Sequence, residues 1–415
     1  MVFVRVSAAA QWPLGLTSPL IPTTTVLFLS NLRMDPASPP VIHEVLPSEI
    51  LAVVFEDHAK LDWRAPAIDG RVCRLWRQIV LNAPRAWAYL EVCSVYRRPT
   101  MSNLLLWLGR SRRALLHIRV EHNFILCPTN GRSLYGLLYD YHTRIASLRI
   151  GLVDLAFFEG RDFPSMRVLD AKRWYWRGPS SHPVRWGRMP ELRSLHLCLT
   201  VVDSVPLDSL PSLKTLVLHM IRCPSLSRHS PSLVKLMLHT VHLEDAISGP
   251  IDFPSLTHLA LFHVGGLKPH INAPYLVTYH ESGFAVDESF SATIPSLVEY
   301  GVYGIDRSTY SAPTGWYRSF PNIQKLFIRA DPSVLILLLH SLASHLHSLP
   351  ALQMISAGSG WMWGAKLTKE DQKTMESLIQ VRSEAGLRDI ALCFEQGQSL
   401  HQLPSSLGVS HCPIR

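Results

Sequence analysis

A phrase of eight residues, Pro-x-Leu-x-x-Leu-x-Leu, recurs through the middle of the chain and constrains its fold more than any other feature. Clear copies are PELRSLHL from Pro190, PSLKTLVL from Pro211, PSLVKLML from Pro231 and PSLTHLAL from Pro254. Weaker copies are PSMRVLDA from Pro164, PYLVTYHE from Pro274, PSLVEYGV from Pro295 and PNIQKLFI from Pro321. Successive prolines from 190 to 295 are 21, 20, 23, 20 and 21 residues apart. This recurrence predicts a stack of similar units, each resting on its neighbours.

The end of each copy alternates as a short β-strand does. In Leu216-Val217-Leu218 the two leucines are expected to point into the core, and the residue between them to face solvent. A leucine pattern with a period of about 20 to 29 residues is typical of leucine-rich repeats. We therefore predict a leucine-rich-repeat solenoid over residues 141–355, with its strands along one concave wall.

Charge and hydropathy exclude two classes of partner. The net charge is +8, but the densest basic clusters, Arg97-Arg98 and Arg110 to Arg113, have no aromatic residues interleaved with them. A solvated helix face explains these clusters better than nucleic-acid binding does. No uninterrupted apolar run reaches the length of about 18 residues that a membrane-spanning helix needs. The sequence therefore predicts neither a nucleic acid nor a membrane as a partner.

Cysteine usage indicates a reducing compartment. Seven cysteines stand at positions 73, 93, 127, 198, 223, 393 and 412, and no two of them form a C-x-x-C pair. An odd number without paired spacing argues against a disulfide framework and against a zinc ribbon. A cytoplasmic or nuclear location is expected.

The segment before the repeats changes from a strand-like to a helical pattern. In LPSEILAVVFEDH, Ile50, Leu51, Val54 and Phe55 share one helical face, and Pro47 stands where a helix tolerates proline. A second helix is predicted in VCRLWRQIVLN, ending at Asn82-Ala83-Pro84, with residues 56–70 as the loop between the two. Two or three helices in about 50 residues make a very small core, so this unit needs something to pack against.

The order LPSEIL, Phe55, VCRLWRQIV and then P-x-x-W, from Pro84 to Trp87, resembles the F-box. Together with the repeats, it is similar to the F-box/leucine-rich-repeat proteins, particularly the large fungal set. The predicted fold class is thus α/β, a leucine-rich-repeat solenoid preceded by a small all-α F-box domain. The resemblance implies a substrate adaptor: the F-box docks on the Skp adaptor of a cullin-RING ubiquitin ligase, and the repeats bind an unknown protein substrate.

The resemblance also implies which residues meet the Skp subunit, although some of them must form the core of the F-box instead. These are Leu46, Pro47, Ile50, Leu51, Phe55, Val72, Cys73, Trp76, Ile79 and Trp87. The alternative is that the same helices only cap the first repeat, because solenoids need a polar or covered end. On that reading the protein is a non-enzymatic interaction scaffold.

The other segments are assigned around these two units. Residues 41–90 form the F-box-like domain, residues 91–140 a linker and N-terminal cap, and residues 356–415 a C-terminal cap and tail. Residues 1–40 form a leader, which is read as a poor signal peptide, a disordered tail or a wrongly assigned start. We favour the last reading, because the polar stretch MDPASPP begins at Met34.

Residues at equal offset from the prolines should form ladders along the concave wall, and these ladders are the candidate substrate-binding surface. One ladder contains His196, Val217, Met237 and Ala260, and the next contains Cys198, His219, His239 and Phe262. Apolar and imidazole groups in this place favour a protein partner. A zinc site at Cys198, His219 and His239 is less favoured, because ligands on adjacent parallel strands point the same way.

The sequence contains no phosphate-binding glycine loop and no H-E-x-x-H or G-x-S-x-G motif. Its carboxylates are scattered along the chain and not paired at one position. We therefore predict a protein that is not an enzyme and that needs no cofactor or metal.

Overall fold

The structure is a computed structural model of the whole chain. It describes residues 46–92, 101–120, 134–150, 160–172, 187–198, 210–220, 231–243, 251–266, 271–282, 294–305, 320–330, 349–359 and 391–394, together with isolated positions between these ranges. The leader at residues 1–40 and the tail after Phe394 lie outside the described residues. So does the part of the linker region from residue 121 to residue 133.

Five of the described helices precede the first copy of the repeated phrase. The helices are α1 (Ser48–Leu61), α2 (Ala65–Asp69), α3 (Arg74–Leu81), α4 (Met101–Arg110) and α5 (Leu134–Asp140). Two 3-10 turns, Pro84–Trp87 and His142–Arg144, each lead into a strand. The prediction of a loop over residues 56–70 was wrong. Helix α1 continues to Leu61, and α2 occupies Ala65–Asp69. Pro66 stands in the first turn of α2, where its missing N–H costs no helical hydrogen bond.

Thirteen strands form one parallel sheet, in the same order as the chain. They are β1 (Tyr89–Val92), β2 (Leu116–Val120), β3 (Ile145–Ile150), β4 (Val168–Lys172), β5 (Ser194–Cys198), β6 (Thr215–His219), β7 (Lys235–His239), β8 (His258–Phe262), β9 (Thr278–Ser282), β10 (Glu299–Ile305), β11 (Lys325–Ala330), β12 (Met354–Ser359) and β13 (Ala391–Phe394). Each strand pairs only with its sequence neighbours in this sheet, which is the topology of a solenoid. The predicted repeat solenoid is confirmed, and its sheet begins at Tyr89.

One face of the sheet carries the leucines of the repeated phrase. Leu195, Leu216, Leu236 and Leu259 stand at one register position, and Leu197, Leu218, Leu238 and Leu261 stand two residues further on. All eight lie in one continuous core that also includes the helices. Because neighbouring repeats supply both walls around each leucine, the core runs along the sheet as a row and has no single centre.

The proline of the repeated phrase stands in a tight turn before each strand. The N–H of the first leucine donates to the carbonyl of the residue ahead of the proline, as from Leu213 to Leu210 at 3.0 Å and from Leu256 to Phe253 at 3.1 Å. This places the proline at the second position of a turn, where its fixed φ is favourable. The residue ahead of the proline is buried at Phe163, Met189, Leu210, Phe253, Ala273, Ile294, Phe320 and Leu349. The sequence reading missed this core column, although these residues are nearly all bulky and apolar.

The serine that follows many of these prolines links one repeat to the one before it. The hydroxyl of Ser232 donates to the carbonyl of Leu213 at 2.9 Å, and the hydroxyl of Ser255 donates to that of Pro231 at 2.6 Å. Ser296 makes the same kind of bond to Pro274 and Leu276. The short polar side chain therefore satisfies carbonyls at the turn that no strand pairing reaches.

Strand β9 keeps its place in the stack although two of its core positions are polar. Tyr279 and Glu281 occupy the positions of Leu259 and Leu261 and are buried. The hydroxyls of Tyr279 and Tyr300 both donate to the carboxyl group of Glu281. A buried carboxyl group is tolerated here because two phenols satisfy its oxygens.

The helices pack directly onto the first strand. The indole N–H of Trp87 donates to the carbonyl of Val80 at 2.8 Å, and the Trp87 ring lies edge-on to the Trp107 ring at 4.9 Å. The guanidinium of Arg110 lies over the Trp87 ring, 4.4 Å from the ring centroid. Helices α1, α3 and α4 thus share the core of the sheet and close its N-terminal end.

The sheet continues past residue 355 into the segment assigned to the C-terminal cap and tail. Strand β12 enters this segment and β13 lies within it. The positions described between Lys373 and Glu384 are all helical. Among the described residues there is no helix with both the length and the apolar character needed to cross a bilayer.

We expect Leu216→Ala to lower the free energy of unfolding by about 2–5 kcal/mol, because rigid neighbouring repeats cannot collapse into the cavity. Urea denaturation followed by circular dichroism measures this change. Lys214→Ala, two residues earlier and exposed, is the matched control, with an expected change within about 0.5 kcal/mol. Equal losses in the two variants would contradict the stacked core.

Candidate protein-binding surfaces

The helical unit exposes a set of large apolar side chains. In α1, Ile50 is 42% exposed, Val54 is 43% exposed and Leu61 is 67% exposed. Their spacing of four and seven residues places them along one side of the helix. The full set, which we call the apolar helical surface, is Ile50, Val53, Val54, Leu61, Ile68, Val72, Leu75 and Leu81. Eight exposed aliphatic residues within 32 positions make the helical unit a candidate interaction surface.

Helix α1 has one apolar side that is buried and another that is exposed. Leu51, Phe55 and Ala59 are buried against the core of the helical unit. Ile50 and Val54 lie about one third of a turn away from that buried stripe. The sequence grouped Ile50, Leu51, Val54 and Phe55 as one face; the structure separates the buried pair from the exposed pair.

The ten residues that the resemblance assigns to Skp contact divide in the same way. Leu51, Phe55, Ile79 and Trp87 are buried and form the core. Pro47, Ile50 and Val72 are exposed, and Leu46, Cys73 and Trp76 are half-buried. Six of the ten are therefore accessible to a partner. The sequence reading missed Val53, Leu61, Ile68, Leu75 and Leu81, whose signal is an aliphatic residue outside the buried stripe.

Two of the half-buried residues have structural roles as well. The thiol of Cys73 accepts from the backbone N–H of Trp76 at 3.4 Å and so caps the start of α3. The Trp76 ring packs against Phe55 with 5.0 Å between the ring centroids. The edge of Trp76 is thus held in a fixed position beside the apolar helical surface.

The sheet face opposite the leucine core is the predicted concave wall, and we call it the wall face. The predicted ladders are in register: His196 pairs with Val217, Val217 with Met237, and Met237 with Ala260. In the next ladder, Cys198 pairs with His219, His219 with His239, and His239 with Phe262. The eight predicted substrate-binding residues therefore share one face of four neighbouring strands.

The middle of the wall face differs from the sequence expectation, which placed the residue between the leucines in solvent. Val217, Met237, Ala260 and Phe262 are buried and form a second apolar cluster with Tyr303. Cys198 is also buried, whereas His196, His219 and His239 are half-buried. These side chains pack against one another across adjacent strands, which removes them from water. The accessible groups of the two ladders are therefore their imidazoles.

The imidazoles lie close together. The rings of His219 and His239 are 4.4 Å apart between centroids, and the thiol sulfur of Cys198 lies 3.1 Å from Nδ1 of His219. The three groups nevertheless form no metal site, since no cluster of three or more ligating side chains within the described ranges has the geometry to hold a metal ion. Burial lowers the pKa of both His258 and Lys235, which stand on this face at the start of β8 and β7.

A buried polar network closes the wall face at β9 and β10. Nε2 of His280 lies 3.0 Å from the carboxyl group of Glu299, and Nδ1 of His280 lies 3.0 Å from the hydroxyl of Tyr303. Gly301 stands beside His280 in the register, and a β-carbon at position 301 would overlap the His280 ring. The missing side chain at 301 therefore makes room for the imidazole that the two partners hold.

Comparison with known proteins gives no matching family, no matching curated protein and no matching solved structure. The functional reading of both surfaces therefore depends on their own residues and geometry.

We expect Gly301→Ala to lower the free energy of unfolding by about 1–3 kcal/mol, because His280 must leave its two partners to avoid the added methyl group. Thermal and urea denaturation measure the loss. Gly109→Ala is the matched control, because no atom lies within 4 Å of its added methyl group and alanine favours a helix. The expectation fails if Gly301→Ala is as stable as the wild type.

Burial raises the pKa of the Tyr303 phenol, because the ionised form loses its hydration. A pKa that is higher in the folded state means that this stabilisation is complete below about pH 10, the pKa of an unfolded tyrosine, and is lost as the pH rises further. We expect the unfolding free energy to fall less steeply between about pH 9 and 11 in Tyr303→Phe than in the wild type. Urea denaturation at both pH values measures the two slopes, and equal slopes would contradict the expectation.

Proposed function

We propose that this protein is the substrate-recognition adaptor of a Skp/cullin/F-box ubiquitin ligase. The helical unit binds the Skp adaptor, and the repeats hold the protein that is to be ubiquitinated. The observation that carries the proposal is the apolar helical surface: aliphatic side chains remain exposed on a unit whose own core is already filled.

The placement of this surface supports docking of a second protein. Protein interfaces have an apolar centre, and Ile50, Val54 and Leu61 lie along one side of α1, with exposed Asp57 between the last two. Val72 and Leu75 add aliphatic area at the start of α3, next to the fixed edge of Trp76. Exposed arginines at 71, 74 and 77 border this area and give it a polar rim.

The cap alternative explains which residues the helical unit buries. It does not explain why the exposed residues are aliphatic. A cap needs the contacts that Trp87, Leu51 and Phe55 make with the rest of the core, and those contacts are present. It does not need Ile50, Val53 and Val54 to be aliphatic, because these side chains face away from the sheet core. A polar residue at any of these positions would serve a cap better.

The test is association with the Skp-type adaptor in vitro. We expect Ile50→Ser/Val54→Ser to weaken this association by at least about tenfold, since two buried aliphatic contacts are lost. Tyr275→Ser/Val277→Ser, which changes two exposed apolar side chains of the repeats, is the control and should bind as the wild type does. Circular dichroism verifies that all three proteins are folded.

Two results would reject the adaptor role. One is a wild-type protein that does not associate with the Skp-type adaptor, which leaves the interaction scaffold as the better reading. The other is a double variant that binds as tightly as the wild type, which would mean that the apolar helical surface is not the contact.

A further inference from the structure

Three consecutive repeats hold a non-glycine residue in the left-handed backbone region at the same place. Met220 has φ 52°, Thr240 has φ 53° and His263 has φ 50°. Each follows directly after the last wall-face residue of its strand, which is His219, His239 or Phe262. We call Met220, Thr240 and His263 the edge row.

The geometry of the edge row is set by hydrogen bonds to the next repeat. The N–H of Met220 donates to the carbonyl of His239 at 2.8 Å, and the N–H of Thr240 donates to that of Phe262 at 2.7 Å. The N–H of His263 donates to the hydroxyl of Ser282 at 2.6 Å. The backbone needs the left-handed turn, and these bonds do not use the side chains of the row. The Thr240 side chain makes a separate local contact, with its hydroxyl oxygen 3.0 Å from Nδ1 of His239.

A residue other than glycine in the left-handed backbone region lowers the stability of the fold, and the turn itself can be made with glycine. The left-handed conformation brings the β-carbon close to the following carbonyl, and β-branched residues such as Thr240 tolerate it least. At the corresponding place after Tyr303, the chain has Gly304 with φ 67°. The fold therefore accepts glycine at this position, and three neighbouring repeats keep a larger residue there.

The side chains of the edge row are exposed and lie outside the core. Met220 is 42% exposed, and Thr240 and His263 are exposed as well. The His263 ring lies 6.0 Å from the His239 ring, which in turn lies 4.4 Å from the His219 ring. Together with His219 and His239, the row thus presents one flexible apolar side chain and three successive imidazoles.

The charge of the adjoining wall face indicates the kind of partner. The wall-face positions of β5 to β8 contain no carboxyl group, while they contain one lysine and four histidines, at Lys235, His196, His219, His239 and His258. Carboxyl groups occur on either side of this stretch, at Asp170 and Glu299, and each lies within hydrogen-bond distance of a histidine. A carboxyl-free stretch rich in imidazole and ammonium donors is complementary to an acidic ligand.

We propose that the edge row, together with His219 and His239, binds an extended acidic segment of a protein that carries an apolar or aromatic side chain. The carboxylates of the segment accept from the imidazoles, and its apolar side chain contacts Met220. Two steps between repeats, about 4.8 Å each, match roughly three residues of extended chain. This inference rests on the cargo-binding half of the proposed function and does not involve the helical unit.

The test uses a fluorescein-labelled random copolymer of glutamate and tyrosine and the full-length protein alone, with fluorescence anisotropy as the measurement. We expect saturable binding, and a loss of affinity of at least about tenfold in Met220→Gly/Thr240→Gly/His263→Gly, since its contacts are removed. The melting temperature of this variant should stay the same or rise by about 1–3 °C, because glycine relieves the left-handed backbone. A row that only supports the fold would instead lower it.

The matched control is Tyr275→Ser/Val277→Ser, which removes two exposed apolar side chains just before strand β9, at the opposite end of the strands. Its affinity for the copolymer should remain within about twofold of the wild type. A copolymer of lysine and tyrosine should bind much more weakly, because it presents the wrong charge.

Four results would overturn the inference. They are no binding of the acidic copolymer, unchanged affinity in the triple variant, a lowered melting temperature in that variant, and equally tight binding of the basic copolymer or of an oligouridylate. Association of the triple variant with the Skp-type adaptor is measured in parallel. If that association is retained, a failure here concerns the edge row alone; if the wild type lacks it, the adaptor proposal fails separately.

Discussion

The structure depends on one constraint: no repeat can bury its own leucines. Leu216 and Leu218 are fully enclosed only because β5 and β7 present leucines at the same register positions on either side. The proline turn makes this possible, since it starts the strands from β4 to β12 at the same register position, as the bond from Leu213 to Leu210 illustrates. Register, core and sheet therefore follow from one recurring turn.

The same constraint means that the first strand of the stack needs a cover. At the N-terminal end, β1 would expose its core edge to water, and Trp87, Trp107 and the helices around them cover it. Once that edge is covered, eight aliphatic side chains of the helical unit remain exposed. An exposed apolar surface on a unit that is already anchored is suited to binding a second protein.

Parallel stacking also decides what the wall face can offer. Side chains at one register position line up along the sheet as a ladder. The residue types within each ladder therefore decide whether its side chains bury one another or stay exposed. Val217, Met237 and Ala260 fit closely enough to bury one another, whereas His219 and His239 remain half-exposed beside them. The histidines are therefore presented on a rigid apolar base, and the edge row continues them beyond the strands.

The sequence by itself determined the repeat, because Pro-x-Leu-x-x-Leu-x-Leu encodes both a turn and an alternating strand in consecutive residues. It also placed α1, α3 and the wall-face ladders correctly, since period and register are local properties. Only the tertiary structure separated exposed Ile50 from buried Leu51 and showed that Val217 is buried by its neighbours. It alone gave Met220, Thr240 and His263 their left-handed backbone, because hydrogen bonds from the next repeat impose that conformation. Burial and backbone strain depend on residues about 20 positions away, which a reading of local pattern does not include.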